Sequence, residues 1–370
     1  MTRVRVLHTV GNLELGGGQK LVALVAGALD PARFDVAVLS FGPPGPYGER
    51  LRGRGVRVIE LGLIRPLRSN RPSAMLRAAV ILVRTVVFGH WDIVHTHMFL
   101  SSVVVTPLAR LGRARAFGTT HRIYYGRVQP VVERLVALLQ ERIVVDSAAV
   151  GEILRARTHI PADKYVVIHN GIDVDELADP PPQDAARRVL GLPADAVVIG
   201  EVAHLVEHKG QRHLVAAVAR LAPTVPHLRL LLVGDGPDRQ QLEDLVRQHG
   251  LAERVVFTGA RGDLLNVLAA IDVLALPSTF EGFGIVQAEA MYLEKPVVAT
   301  SHGGSTEVVE DGLTGFLVPF GDVDALADRL SRLVGDRVLR VAMGARGRER
   351  VLSLFTAARM GASYERSYLR

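Results

Sequence analysis

The sequence predicts an α/β protein built from two doubly wound, Rossmann-like domains. Three observations carry this. A chain of 370 residues exceeds what one ordinary α/β domain needs, and its apolar fraction of 48% can fill two cores. Short apolar runs alternate with helical patterns from Val4 to Asn170, and the alternation restarts at Ala196. Between them lies Asp179-Pro180-Pro181-Pro182, a proline run that suits neither a helix nor a central strand and reads as a linker. The expected division is 1–178, 183–352 and a terminal helix over 353–370.

In the first half, Val4 to Thr9 reads as a strand and Leu21 to Leu29 as a helix. Gly16, Gly17 and Gly18 form a loop between them that suits close approach of a phosphate or a sugar. The spacing is not G-x-G-x-x-G and no acidic ribose ligand matches it, which argues against a dinucleotide cofactor. Phe34 to Phe41 and Val56 to Leu61 are further strands. Residues 64–89 combine Arg65, Arg68, Arg71, Arg77 and Arg84 with Leu67, Met75, Leu76, Val80, Ile81, Val83 and Val87. Two readings stand: a core helix with solvated arginines, or a helix that meets an anionic membrane surface. Asp92 to His97 is a strand placing His95 and His97 on one face. With no third ligand apparent, a hydrogen-bonded structural role is expected rather than a metal. Ala116 to Thr120 is a strand leading to His121. Ile143 to Ser147 is another, with Ser147 capping a helix over Ala148 to Ala156.

In the second half, the predicted strands are Ala196 to Val202, Leu228 to Val233, Val255 to Thr258, Val273 to Leu276 and Pro296 to Thr300. Helices are expected over Arg212 to Leu221, Glu243 to His249, Asp263 to Ala270 and Ile285 to Met291. The stretch Ser278 to Met291 is the focus. Pro277 and Ser278 end a buried strand, Gly282 and Gly284 allow a tight turn, and Ile285 opens a helix. Glu281 therefore sits at the carboxyl end of a parallel strand, beside a helix N-terminus, where open α/β sheets bind ligands. Glu289 follows about one turn into that helix. The plain alternative is a strand-turn-helix with solvated glutamates.

Glu281 and Glu289, with the glycine turn between them, resemble the E-x7-E motif of the GT4 glycosyltransferases. The D-I-V-H-x-H run at Asp92, the V-I-H-N-G-I-D run at Val167 and the His204 to Gly210 loop extend the likeness over almost the whole chain. The resemblance implies a GT-B fold: two Rossmann-like domains facing a central cleft, with the last helix crossing back to the first domain. It also implies a retaining enzyme that draws on a nucleotide sugar. Within it, Glu289 would accept hydrogen bonds from the ribose, while Glu281 and the backbone N–H groups of Phe283 and Gly284 would hold the sugar. Gly282 and Ile285 complete that turn. His121 would face the sugar from the first domain, and Gly16, Gly17 and Gly18 would face the cleft.

A departing diphosphate needs positive charge. No D-x-D motif and no metal are expected; fixed cations and a helix dipole take that role. Lys209 matches the lysine of the family's G-R-L-x-x-x-K-G loop. The family's arginine is replaced by His204, a single donor whose charge depends on pH. Arg261 is placed at the base pocket. No cofactor is expected.

The chain has no cysteine, which removes disulfides and thiolate chemistry. Residues 1–180 hold 23 Lys+Arg against 15 Asp+Glu, a net of +8 within a whole-chain +6, so the first domain is the part suited to an anionic partner. No basic stripe interleaved with aromatics is present, so nucleic acid is not expected. The start of the chain reads as a strand rather than a signal peptide, and the expected location is cytoplasmic, peripheral on the inner face of a membrane. The expected partners are an NDP-sugar, UDP favoured, and a hydroxyl acceptor that is lipid-linked or a polysaccharide precursor. Two rival readings are a GT-B UDP-sugar epimerase and a nucleotide-sugar-binding homologue weakened by His204.

Overall fold

The computed structural model describes residues 3–14, 16–63, 72–120 and 128–370. His121, Arg65, Arg68 and Arg71 therefore lie outside the described residues. The chain forms two compact units, Met1–Gly171 with Ala357–Arg370, and Ile172–Thr356.

In the first unit seven described strands pair in parallel: β1 Val4–Val10, β2 Phe34–Ser40, β3 Arg57–Glu60, β4 Ile93–His97, β5 Arg115–Thr120, β6 Arg142–Val145 and β7 Tyr165–Val167. Their order is β3-β2-β1-β4-β5-β6-β7. The valine-rich centres are apolar on both faces because helices cover both. One face packs Val6, Ile93 and Phe117 beneath helix Gly17–Ala28 and the terminal helix Ala357–Leu369; the other packs Leu7 and Val94 beneath helices Pro72–Val86 and Phe99–Leu111. The terminal helix comes close because Gly361 has no side chain. A Cβ there would meet the Ala28 carbonyl oxygen at 2.5 Å.

Two expectations are corrected here. Gly17 and Gly18 are the first residues of their helix rather than a loop before it, and Gly16 is its N-cap. The first-turn N–H groups lack intrahelical acceptors, so glycine costs least there. The C-terminal region also divides. Helix Arg337–Leu354 remains with the second unit, where Gly344 and Gly347 let it press on Glu294 and Met291. Only Ala357–Leu369 belongs to the first unit. The units part at Gly171/Ile172 and Thr356/Ala357, where the sequence suggested the linker near 179 and a break at 352/353. Ile172 stays with the second unit because its N–H donates to the Phe355 carbonyl at 2.8 Å.

The second unit has six described parallel strands: β8 Val197–Val202, β9 Leu228–Val233, β10 Val255–Gly259, β11 Val273–Leu276, β12 Val297–Thr300 and β13 Gly315–Val318. Their order is β10-β9-β8-β11-β12-β13. The order reverses between β8 and β11, so the segments leaving those strands diverge and open a crevice at their carboxyl ends. Below it, Asp272 at the start of β11 accepts from the Val198 N–H and pairs with Arg187 at 2.7 Å, tying helix Gln183–Val189 to the sheet.

Candidate active site

The site is assembled at the β8/β11 switch point. After β8 the chain runs through His204 to a single turn Glu207–Lys209, stopped by Gly210 at φ 77°. A Cβ on Gly210 would collide with the Pro277 carbonyl oxygen, so only glycine lets this loop lie against the end of β11. Thr279 fixes the contact: its N–H and hydroxyl both donate to the His208 carbonyl, at 2.8 and 3.0 Å. As a result Lys209 Nζ lies 2.7 Å from Glu281 Oε1, with side-chain exposures of 21% and 12%.

The loop after β11 is built on glycines from elsewhere in the unit. Gly304 donates its N–H to the Glu281 carbonyl at 2.8 Å. A Cβ on Gly303 or Gly304 would intrude on the backbone of Glu281 or Gly282. Phe283 is buried edge-on against Phe355 at 5.2 Å and anchors the turn. Gly284, at φ 88°, is the N-cap of helix Ile285–Tyr292, whose first N–H groups have no intrahelical acceptor. Glu289 is 2% exposed. Gln287 donates to Ser305 at 2.8 Å, which fixes this helix against Ser305–Val308.

His204 and Arg261 line one cavity of about 690 Å³ with Val202, Ala203, Val233, Gly234, Asp235, Gly236 and Ala260. Gly234 and Gly236 back closely onto Ala203 and Leu205, where a Cβ would collide with their carbonyl oxygens. Arg261 is held by Asp263 through contacts of 2.8 and 2.6 Å. Gly234, Asp235 and Gly236, in the turn after β9, are lining residues that the sequence did not single out as part of the site.

It also missed Glu201, near the end of β8. Glu201 is 1% exposed, and neither carboxyl oxygen has a hydrogen-bond partner. Burial pushes its pKa well above the carboxylate range; Lys209 pulls it back and Glu281 pushes it further. Two D-x-D spacings do occur, Asp173/Asp175 and Asp322/Asp324. Asp173 accepts from the Asp175 N–H at 3.3 Å, Asp322 caps helix Val323–Gly335, and Asp324 pairs with Arg220. Each is engaged in local structure.

In the first unit, His95 and His97 gain the third histidine that the sequence did not reveal. His8 lies beside His95 in the β1–β4 register, and the three rings are buried with nitrogens within 4.8 Å of one another. They are bonded within the fold: His8 Nδ1 to His97 Nε2 at 3.0 Å, and His95 to the Tyr368 hydroxyl and Thr119 Oγ1, both at 2.6 Å.

Two parallel-sheet units, the second with a lysine–glutamate pair at its switch point, have the architecture of the GT-B fold. The Glycosyltransferase Family 4 model matches residues 15–176 and the Glycosyl transferases group 1 model matches 182–350. The D-inositol 3-phosphate glycosyltransferase of Saccharomonospora viridis is 30% identical, over 93% of this chain and 86% of that protein. The lipopolysaccharide core biosynthesis glycosyltransferase LpsE of Rhizobium meliloti is 36% identical over 46% of this chain and 49% of its own. Anabaena HepE, crystallised in complex with UDP, superposes with a TM-score of 0.83 at 25% identity and 99% coverage of both chains. The chain belongs to glycosyltransferase family 4.

Proposed function

We propose that this glycosyltransferase moves a hexose or N-acetylhexosamine from an NDP-sugar to a hydroxyl acceptor with retention of anomeric configuration. The observation that carries this is the Lys209–Glu281 contact at 2.7 Å beside the N-terminus of helix Ile285–Tyr292. A cation and a helix dipole suit a diphosphate, and a carboxylate next to them suits sugar hydroxyls. Lys209 takes the role of the charge that a metal fills in other transferases. Glu289 is assigned to the ribose and the cavity at His204 and Arg261 to the base. UDP is the favoured nucleotide, supported by the UDP complexes of the structural relative. The rival reading as a binding protein without turnover rests on His204 standing where the family has arginine.

The named relatives act on unlike acceptors, an inositol phosphate and a lipopolysaccharide core, so the common acceptor class is a hydroxyl. A lipid-linked acceptor is favoured by the surface of the first unit. Helix Pro72–Val86 buries Ala78, Leu82 and Val86 but exposes Leu76, Val80 and Val83 beside the exposed Arg77 and Arg84. This apolar and basic face suits the cytoplasmic surface of an anionic membrane.

The test is a panel of nucleotide sugars, read by thermal shift and then by transfer to lipid-linked and soluble acceptors with and without chelator. Transfer with retention that survives chelator supports the proposal. Epimerisation without acceptor, binding without turnover, or activity lost to chelator and restored by magnesium or manganese would each overturn part of it.

A further inference from the structure

Glu201 stands out because the contacts of the proposed reaction do not use it. Side chains alternate along a strand, so it shares a face of β8 with Ile199, which packs with Leu214, Val215 and Val218. Its register partner on β9 is Leu232, and β11, on the other side, has only Val273, Leu274, Ala275 and Leu276. Helix Gln211–Leu221, over that face, carries Arg212, His213 and Arg220, with both arginines exposed. The charges that act on Glu201 are Lys209 and Glu281. A carboxyl with two orphaned oxygens in such a place is costly as a neutral acid and far more costly as an anion. It therefore holds its proton, while Lys209 and Glu281 pair with each other at 2.7 Å.

That state decides the charge that meets an incoming diphosphate. With Glu201 neutral, the three groups sum to zero. With Glu201 ionised, they sum to −1 and oppose the phosphates.

We propose that Glu201 is a positioning residue for the nucleotide-diphosphate site: as a neutral acid buried near the carboxyl end of β8, it leaves the charge of Lys209 available to the diphosphate, and its ionisation shuts the site. The inference rests on the nucleotide-sugar reading above. It requires donor affinity to fall as pH rises through the Glu201 transition, by about tenfold per pH unit where the ionised form is excluded.

The experiment titrates UDP into wild type and Glu201→Gln by calorimetry from neutral to alkaline pH. Glutamine keeps the shape and cannot ionise. In parallel, the protonated carboxyl stretch is followed by infrared difference between the two proteins without nucleotide. The expected result is a wild-type affinity that bends downward with pH, a flat profile for Glu201→Gln, and a carboxyl band that disappears over the same pH range. Glu201→Leu should melt higher than wild type, because it removes an unpaired buried polar group; this checks that the fold tolerates the site. Parallel profiles for wild type and Glu201→Gln, or an absent carboxyl band at neutral pH, would overturn the proposal. If wild type binds no UDP, GDP or ADP, the donor reading falls and takes the role of Glu201 with it. The infrared band would then report only a buried neutral acid, so the two failures are told apart.

Discussion

Replacing Lys209 with methionine tests the centre of the proposed chemistry. Methionine keeps an unbranched apolar stem and removes the ammonium that lies 2.7 Å from Glu281. Both side chains are mostly shielded from water, at 21% and 12% exposure, so the interaction is not a fully screened surface pair. A hydrogen bond involving a charged group is worth about 1.5–3 kcal/mol. Loss of the one made to the diphosphate should therefore weaken UDP binding roughly 10- to 100-fold, at about 1.4 kcal/mol per decade. The variant should also melt lower, because Glu281 keeps its buried position and loses its partner. Calorimetry with UDP and with uridine separates local from global effects. The phosphate-bearing ligand should lose affinity and the nucleoside should not. Equal UDP affinity in wild type and Lys209→Met would refute the reasoning. A matched loss for UDP and uridine would show general damage instead.

Four further outcomes are expected. Glu281→Ala should lower turnover more than it weakens UDP binding, whereas Glu289→Ala should weaken UDP itself by about 1.5–3 kcal/mol; the opposite pattern in kinetics and calorimetry would exchange their roles. Gly210→Ala should lower both the melting temperature and donor affinity. The left-handed backbone at φ 77° costs about 1–2 kcal/mol for a residue with a Cβ, and that Cβ collides with Pro277; an unshifted melt would contradict this. Burial holds the His8 pKa down to about 3. Between the ordinary histidine value of about 6.5 and that point, the unfolded chain binds the proton and the folded chain does not, so His8 makes stability fall as pH drops through that window. Denaturant melts of His8→Asn should show a shallower acid loss, and identical slopes would argue against it. Finally, wild type should sediment with anionic but not neutral vesicles, less so in high salt, and changing Leu76, Val80 and Val83 to Ser should abolish it; unchanged sedimentation would return that helix face to plain solvent exposure.

The sequence was informative wherever the signal is local. Runs such as Leu228–Val233 and Val273–Leu276 match the observed strands at both ends, because a buried parallel strand is a continuous apolar run bounded by turn residues. Ser147 caps its helix as its position suggests, accepting from the Val150 N–H at 3.2 Å. The E-x7-E stretch and Lys209 could be chosen because their residues are near one another in sequence or match a short family pattern. Boundaries were less legible. Glycine at Gly17 and Gly18 looks like a loop in sequence, while a helix N-terminus accepts it at little cost.

Tertiary structure decided what depends on residues far apart in the chain. Lys209 and Glu281 are 72 positions apart and meet because β8 and β11 are neighbours and Gly210 has no Cβ. His8 joins His95 and His97 only through the β1–β4 register. Glu201 reads as one polar residue in an apolar strand, and nothing local states that its carboxyl has no partner. Hydrophobic period and turn chemistry are set within a few residues, so the sequence by itself determined the two α/β units and the loops that carry the chemistry. Strand order, close backbone approach and the burial of a carboxyl group arise from contacts between distant segments, so the pairing and spacing of the site were decided only by the folded chain.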